Sequence, residues 1–266
     1  MKDDGKKENM MISKNKTVSE NAASTLKGAY RLGFWSAILT TVLAAVAFAV
    51  GVTTPARSGP FCSGSCIPYP YTNVAAFIPG DYLWLYPGIL LALIFVVLMA
   101  CIHSYASKDR QILSQIGLSF ALIYAVVIIS DYFVQFTVVI PSLSSGETAG
   151  LALFTQYNPH GIFIALEGIG YLMMSFAFLA NAVVFSEGKL EHAIRWIFLI
   201  DFILAAGSLA GLSWLKYDIV AFEVAILTIN WIVLIVSGIL LGVLFKRAER
   251  FSSYRLSDTA KDRLNL

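Results

Sequence analysis

The sequence predicts an all-α integral membrane protein: a bundle of six transmembrane helices with the N-terminus and the C-terminus both cytoplasmic. Three observations predict it. Charge is scarce, the apolar runs have membrane-spanning length, and Lys and Arg fall almost entirely on one set of connecting segments. Of the 266 residues, 14% are charged and 58% hydrophobic, whereas soluble domains carry about 25% charged residues. A chain this poor in charge cannot cover a water-facing surface. The apolar runs are roughly 20 residues long, the length a helix needs to cross about 30 Å of hydrocarbon. They are continuously apolar, without the in-out alternation of a membrane barrel.

The spans read as 33–52, 82–105, 111–138, 159–185, 193–214 and 219–245, within one transmembrane domain over 29–246. Residues 1–28 are polar and rich in Lys, Asn, Ser and Glu, and read as a disordered cytoplasmic tail. Residues 247–266 form a cytoplasmic C-tail. A cleaved leader has a short basic region ahead of its apolar stretch; here the leading polar segment is long, so the first run reads as a retained helix. Local signals mark several ends. Asn158 followed by Pro159 is the expected start of the fourth helix. Asp218 is an expected cap for the sixth, Ser107 for the third, and Pro87 is expected to kink the second.

Orientation follows from the basic residues. Seventeen of the 19 Lys and Arg lie in the N-tail, the 106–112 and 186–195 loops and the C-tail, leaving only Arg57 and Lys216 on the other side. Positive charge marks the cytoplasmic side, which fixes both termini there and supports an even number of spans, in the cell membrane. The basic residues are thereby accounted for, and nucleic-acid binding is not expected. Tyr82, Trp84, Tyr86, Trp214 and Tyr217 read as aromatics at the outer headgroup boundary.

Cys62 and Cys66 lie four apart in the first outer loop with Gly64 between them. Outside the cytoplasm such a pair forms a disulfide, read here as a structural staple. A redox relay would need a second dithiol, and Cys101, the only other cysteine, sits near the inner end of the second span. No metal site or cofactor is expected. No nucleotide-binding loop, nucleophile elbow or helix-borne zinc motif is present.

The ionisable residues inside the spans are the main functional signal, because charge in hydrocarbon is costly and such groups face the bundle interior. The third span holds Asp131 and, one turn on, Gln135; the fourth holds Glu167 with His160 and Tyr171; the fifth Asp201; the sixth Glu223 and Asn230. Helix rise places Asp131 about 10 Å, Glu167 about 12 Å and Glu223 about 7 Å below the outer helix ends. Asp201 lies about 12 Å from the inner end. His160, Ile164, Glu167, Tyr171 and Ser175 share one helical face. Asp131 and Glu167, on consecutive antiparallel helices, are expected to act as a pair, with Gln135, Tyr171 and His160 as partners. The function these residues suggest is binding or transport of a small polar solute or a proton in a carboxylate-lined cavity of the outer half. A membrane-embedded enzyme using the same acids is one alternative; a non-catalytic accessory protein, its acids serving as interhelical glue, is the other. Gly207/Gly211 and Gly238/Gly242 have close-packing spacing and are expected to mark contacts within the bundle.

Overall fold

The computed structural model describes residues 2–52, 67–214, 216 and 218–264, with side-chain surroundings defined from residue 24 to residue 253 apart from Ser213. Helix α1 spans Lys2–Gly51, α2 Leu85–Tyr105, α3 Gln111–Val134, α4 Ile140–Ser145, α5 Ile162–Ala182, α6 Gly188–Trp214 and α7 Ile219–Leu264. Six of the helical segments are long and apolar enough to cross a membrane, as a multi-pass membrane protein requires. No strand occurs among the described residues.

Neighbours pack in a closed ring, α1 on α2, α2 on α3, α3 on α5, α5 on α6, α6 on α7 and α7 back on α1, with α5 also touching α7. The ring is apolar outside and partly polar inside. Val42, Val126, Ile203 and Val236 are among many large apolar side chains left exposed, while Asp131, Gln135, Glu167, Asp201 and Asn230 are enclosed. A water-soluble fold reverses this arrangement, since it rarely leaves broad apolar patches uncovered.

Two ends can be distinguished. The loop end carries 67–84 and 146–161; the turn end carries the short connections around Lys108 and Ser186. At the turn end Glu191 accepts hydrogen bonds from the Ser186 and Glu187 amides, at 2.8 and 2.7 Å, and from the Tyr105 hydroxyl at 2.5 Å. Arg110 reaches the Val184 carbonyl at 3.3 Å and the Ser186 hydroxyl. These bonds tie α2, the α2–α3 turn and the start of α6 together.

Helix boundaries differ from the sequence reading where local chemistry competes. Asn158 does not cap the helix. Its Oδ1 accepts the His160 amide at 2.9 Å and its Nδ2 donates to the Ala152 carbonyl at 2.6 Å, and α5 starts at Ile162. The side chain closes an Asx turn, the alternative use of an Asn at a helix entrance. Pro87 is the third residue of α2, in a first turn whose amides need no helical partner, so it starts the helix rather than kinking it. Asp218 caps α7 as expected, its Oδ1 accepting the Ala221 amide at 3.1 Å. Ser107 precedes the short 3-10 turn Lys108–Arg110 without making a side-chain cap bond. Helix is continuous at both ends of the sequence, back to Lys2 in α1 and on to Leu264 in α7, where the polar composition suggests unstructured tails. Propagation from an existing helix avoids the costly nucleus that an isolated polar segment would have to form.

The interruption in α3 has a sequence cause. Pro141 lacks an amide hydrogen and its ring excludes the carbonyl one turn back; the strain is taken up in the wide π turn Gln135–Val139 just before it. The chain then runs through α4 to Gly146, at φ +75°, where the Gly146 and Glu147 amides close onto the Leu143 and Ser142 carbonyls.

Close packing uses one of the two glycine pairs. A Cβ on Gly238 would collide with the Thr41 hydroxyl, so this position lets α7 lie directly on α1. A Cβ on Gly207 or Gly211 would meet nothing within 4 Å, and that pair marks no contact within the described bundle.

Candidate functional site

The expected polar face of α5 forms from Ile164 onward: Ile164, Glu167, Tyr171 and Ser175 are all buried. His160 is not on it. It precedes the helix, on the turn closed by Asn158, and is exposed.

Glu167 is 1% exposed and is held by aromatic donors. The Tyr132 hydroxyl donates to its Oε1 at 2.7 Å. Tyr132 and Tyr171 hydroxyls lie 3.3 Å apart, and the Trp231 indole N–H donates to the Tyr171 oxygen at 2.7 Å. A relay of bonds therefore joins α3, α5 and α7 around one carboxyl. Tyr132 reaches it because α2 carries Gly88 opposite: a Cβ there would lie 2.7 Å from the tyrosine ring. Asp131, the preceding residue, is 2% exposed, and its Oδ2 has no hydrogen-bond partner among the described residues. It is near enough to Glu167 for their charges to interact.

A cavity of about 200 Å³ adjoins this relay. Its walls are Phe48, Gly51 and Val52 from the end of α1, Trp84 before α2, Glu167 of α5, and Glu223, Val224, Leu227, Thr228 and Trp231 of α7. Glu223, Leu227 and Trp231 recur every four residues and so share one face of α7. Both carboxyls lie in the second turn of their helices, α5 and α7. The structure thus brings Glu167 and Glu223 to one void. Gln135 is buried but turned elsewhere, its amide donating to the Phe154 carbonyl at 2.7 Å and accepting the Gln156 amide at 3.3 Å. Asp201 and Asn230 belong to a separate cluster deeper in the bundle, where the Ser175 hydroxyl donates to Asn230 Oδ1 at 3.3 Å.

Several members of the site are invisible in the sequence reading. Trp84 looks like a headgroup anchor at a span end, yet it is 4% exposed and donates its N–H to Gln156 Oε1 at 3.3 Å. Tyr82 is likewise enclosed, whereas Tyr86 and Trp214 are exposed and Tyr217 lies outside the described residues. Asp81 is buried in the loop end, accepting the Tyr157 hydroxyl at 2.6 Å, while its carbonyl accepts the Gln156 amide at 3.1 Å. This network forms a lid of hydrogen-bonded loop over the relay. Tyr132 and Trp231 carry no charge and attract no notice in an apolar run; the available signal was their spacing, one residue from Asp131 and eight from Glu223. Cys62 and Cys66, with the disulfide expected between them, lie outside the described residues. Among the described residues no group of three or more His, Cys, Asp or Glu side chains could hold a metal ion.

No protein family, curated protein or solved structure matches the chain.

Proposed function

We propose that this chain is a multi-pass protein of the cell membrane, both termini cytoplasmic, that binds a small polar solute or a proton in the cavity between α1, α2, α5 and α7 and carries it. The observation that supports this reading is the placement of Glu167: an enclosed carboxyl, oriented by a tyrosine, in the wall of a void with Glu223 beside it. Structural glue needs no void, and an apolar packing defect has no reason to collect two acids. The void also favours binding over acid–base catalysis, because His160, the third group that catalysis would use, is exposed and outside the wall.

The test is thermal melting of the detergent-solubilised protein against a panel of small amines, carboxylic acids and polyols, with proton flux measured in proteoliposomes. One solute class, or protons, should respond, and the response should vanish in Thr228→Trp, which fills the cavity from α7. No response to any panel member, and equal proton flux in wild type and Glu167→Gln, would leave the accessory-protein reading in its place. For topology, a reporter fused after Leu266 should read as cytoplasmic and one inserted at 142–150 as external.

A further inference from the structure

We infer that the solute taken by the cavity is a small organic cation, an ammonium group seated among Phe48, Trp84 and Trp231 with Glu167 as its counter-charge. The inference rests on the reading of the cavity as a solute site and names the ligand's chemistry.

The aromatic geometry is the first argument. The rings of Phe48 and Trp231 are 5.8 Å apart at 55°, and those of Trp84 and Trp231 6.5 Å apart at 54°. Trp84 also meets Tyr132 and Phe163 edge-on, at 5.1 and 6.3 Å, so the cavity is bordered by one rim of a packed aromatic cluster. The indole N–H groups, the positive edges, are already committed: Trp231 donates to Tyr171 and Trp84 to Gln156. Each indole is thus pinned at its polar edge, and what it lends the cavity wall is aromatic carbon rather than a hydrogen-bond donor. Aromatic side chains beside carboxyls in one wall favour a cation, and an ammonium above all, since it carries its charge on an apolar body.

Charge is the second argument. The described wall contains two carboxyls and neither Lys nor Arg. An anionic solute would meet two acids and three aromatic side chains, with no positive charge to offset its own. A neutral polyol would find few polar partners, because among the described residues Thr228 carries the only side-chain hydroxyl in the wall. An inorganic cation needs six or more oxygen ligands in the case of calcium, and near-octahedral oxygens in the case of magnesium; Glu167, Glu223 and Thr228 cannot supply that shell. The third argument is size. An apolar cavity of about 150 Å³ accommodates benzene, so one of about 200 Å³ suits a ligand of somewhat more than six heavy atoms. A methylated or primary amine on a short stem fits; a bare ion would leave most of the space empty.

The ammonium could arrive free or as a lipid headgroup. Both present the same chemistry to the cage, and the experiment separates them. Binding to the full chain in maltoside micelles is followed by tryptophan fluorescence and thermal melting. The probes are choline, its neutral isostere dimethylbutanol, and short-chain phosphatidylcholine against phosphatidylglycerol. Choline should bind at least about tenfold more tightly than the isostere, and Glu167→Gln should shrink that gap to about twofold. Trp84→Leu should weaken choline while Trp84→Phe, which keeps an aromatic face and the fold, should restore part of the affinity. A response to phosphatidylcholine alone, with none to phosphatidylglycerol or free choline, also supports the cage and assigns the ammonium to a lipid. Measurable binding of both choline and its isostere with equal affinity overturns the assignment. If choline fails while a carboxylate or polyol from the wider panel binds, the cavity remains a solute site and the cation assignment falls. If nothing binds and no protons move, both fall together.

Discussion

Glu167 and Asp201 are both enclosed carboxyls on neighbouring helices, 1% and 0% exposed, and they differ in everything else. Glu167 has a tyrosine hydroxyl at 2.7 Å, a second tyrosine and a tryptophan behind it, and a void in front. Asp201 has no hydrogen bond to either oxygen among the described residues and no part in the cavity wall. Ser175 lies close to both Asp201 and Asn230, and its hydroxyl donates to Asn230 Oδ1 at 3.3 Å. Depth in the bundle therefore does not distinguish a site from a structural acid. What distinguishes them is whether surrounding donors fix the carboxyl and whether space is left for something to meet it.

The comparison breaks most sharply at the glycines that flank each region. Gly88 makes room for Tyr132, with a hypothetical Cβ 2.7 Å from its ring, whereas Gly207, six residues beyond Asp201 on α6, meets nothing within 4 Å. Gly88→Val should force Tyr132 off Glu167 and cost about 1–3 kcal/mol, the usual cost of overpacking, with loss of any solute response. Gly207→Ala should be neutral or raise stability by about 0.5–1 kcal/mol through helix propensity. Thermal melting in detergent reads both. Equal losses at the two positions would mean that the Glu167 side is no more tightly organised than the Asp201 side.

A smaller effect should come from the hydroxyls. Tyr132→Phe removes the donor to Glu167 and leaves a buried acceptor short of a partner; about 1–2 kcal/mol is expected. Ser175→Ala removes a 3.3 Å bond to an amide oxygen and should cost under about 1 kcal/mol. Solute binding should fall in Tyr132→Phe and hold in Ser175→Ala. Below these lies Asp201→Asn, which is nearly isosteric at a position where, among the described residues, Ser175 is a close polar neighbour. It should shift stability by less than about 1 kcal/mol and leave solute binding intact.

The extent to which these regions are legible in the sequence follows from the same physics. The number of helices is readable because hydrocarbon thickness sets a length that composition must meet. The face of α5 is readable because Glu167, Tyr171 and Ser175 obey helical spacing. What fails is anything decided between elements. His160 is displaced from its expected face because Asn158 spends its side chain on a turn. Trp84 reads as a boundary anchor because span-end tryptophans commonly are, and only the arrival of Gln156 from a loop 72 residues away draws it inward. The partnership of Glu167 with Glu223 depends on α5 touching α7, and chain order alone offers no hint of that contact. Asp201 and Glu167 look equivalent in one dimension because a void has no sequence signature.

The finest distinction concerns Asp131, which lies between the two cases. It is buried beside the Glu167 relay, on the residue before Tyr132, yet like Asp201 it has an oxygen without a hydrogen-bond partner among the described residues. If it belongs to the Glu167 site, its effect must depend on the state of Glu167. Replacing Asp131 by Asn alone removes a potential like charge near Glu167 but leaves the Tyr132 bond; replacing Glu167 by Gln alone removes the charge that Asp131 senses. The two changes should then be non-additive, with a coupling of at least about 0.5 kcal/mol in thermal melting, as groups in one network show. The same cycle between Asp131→Asn and Asp201→Asn should close to within about 0.5 kcal/mol, the limit for separated sites. Additivity in the first cycle would detach Asp131 from the cavity and place it with Asp201, as an acid kept for packing between helices.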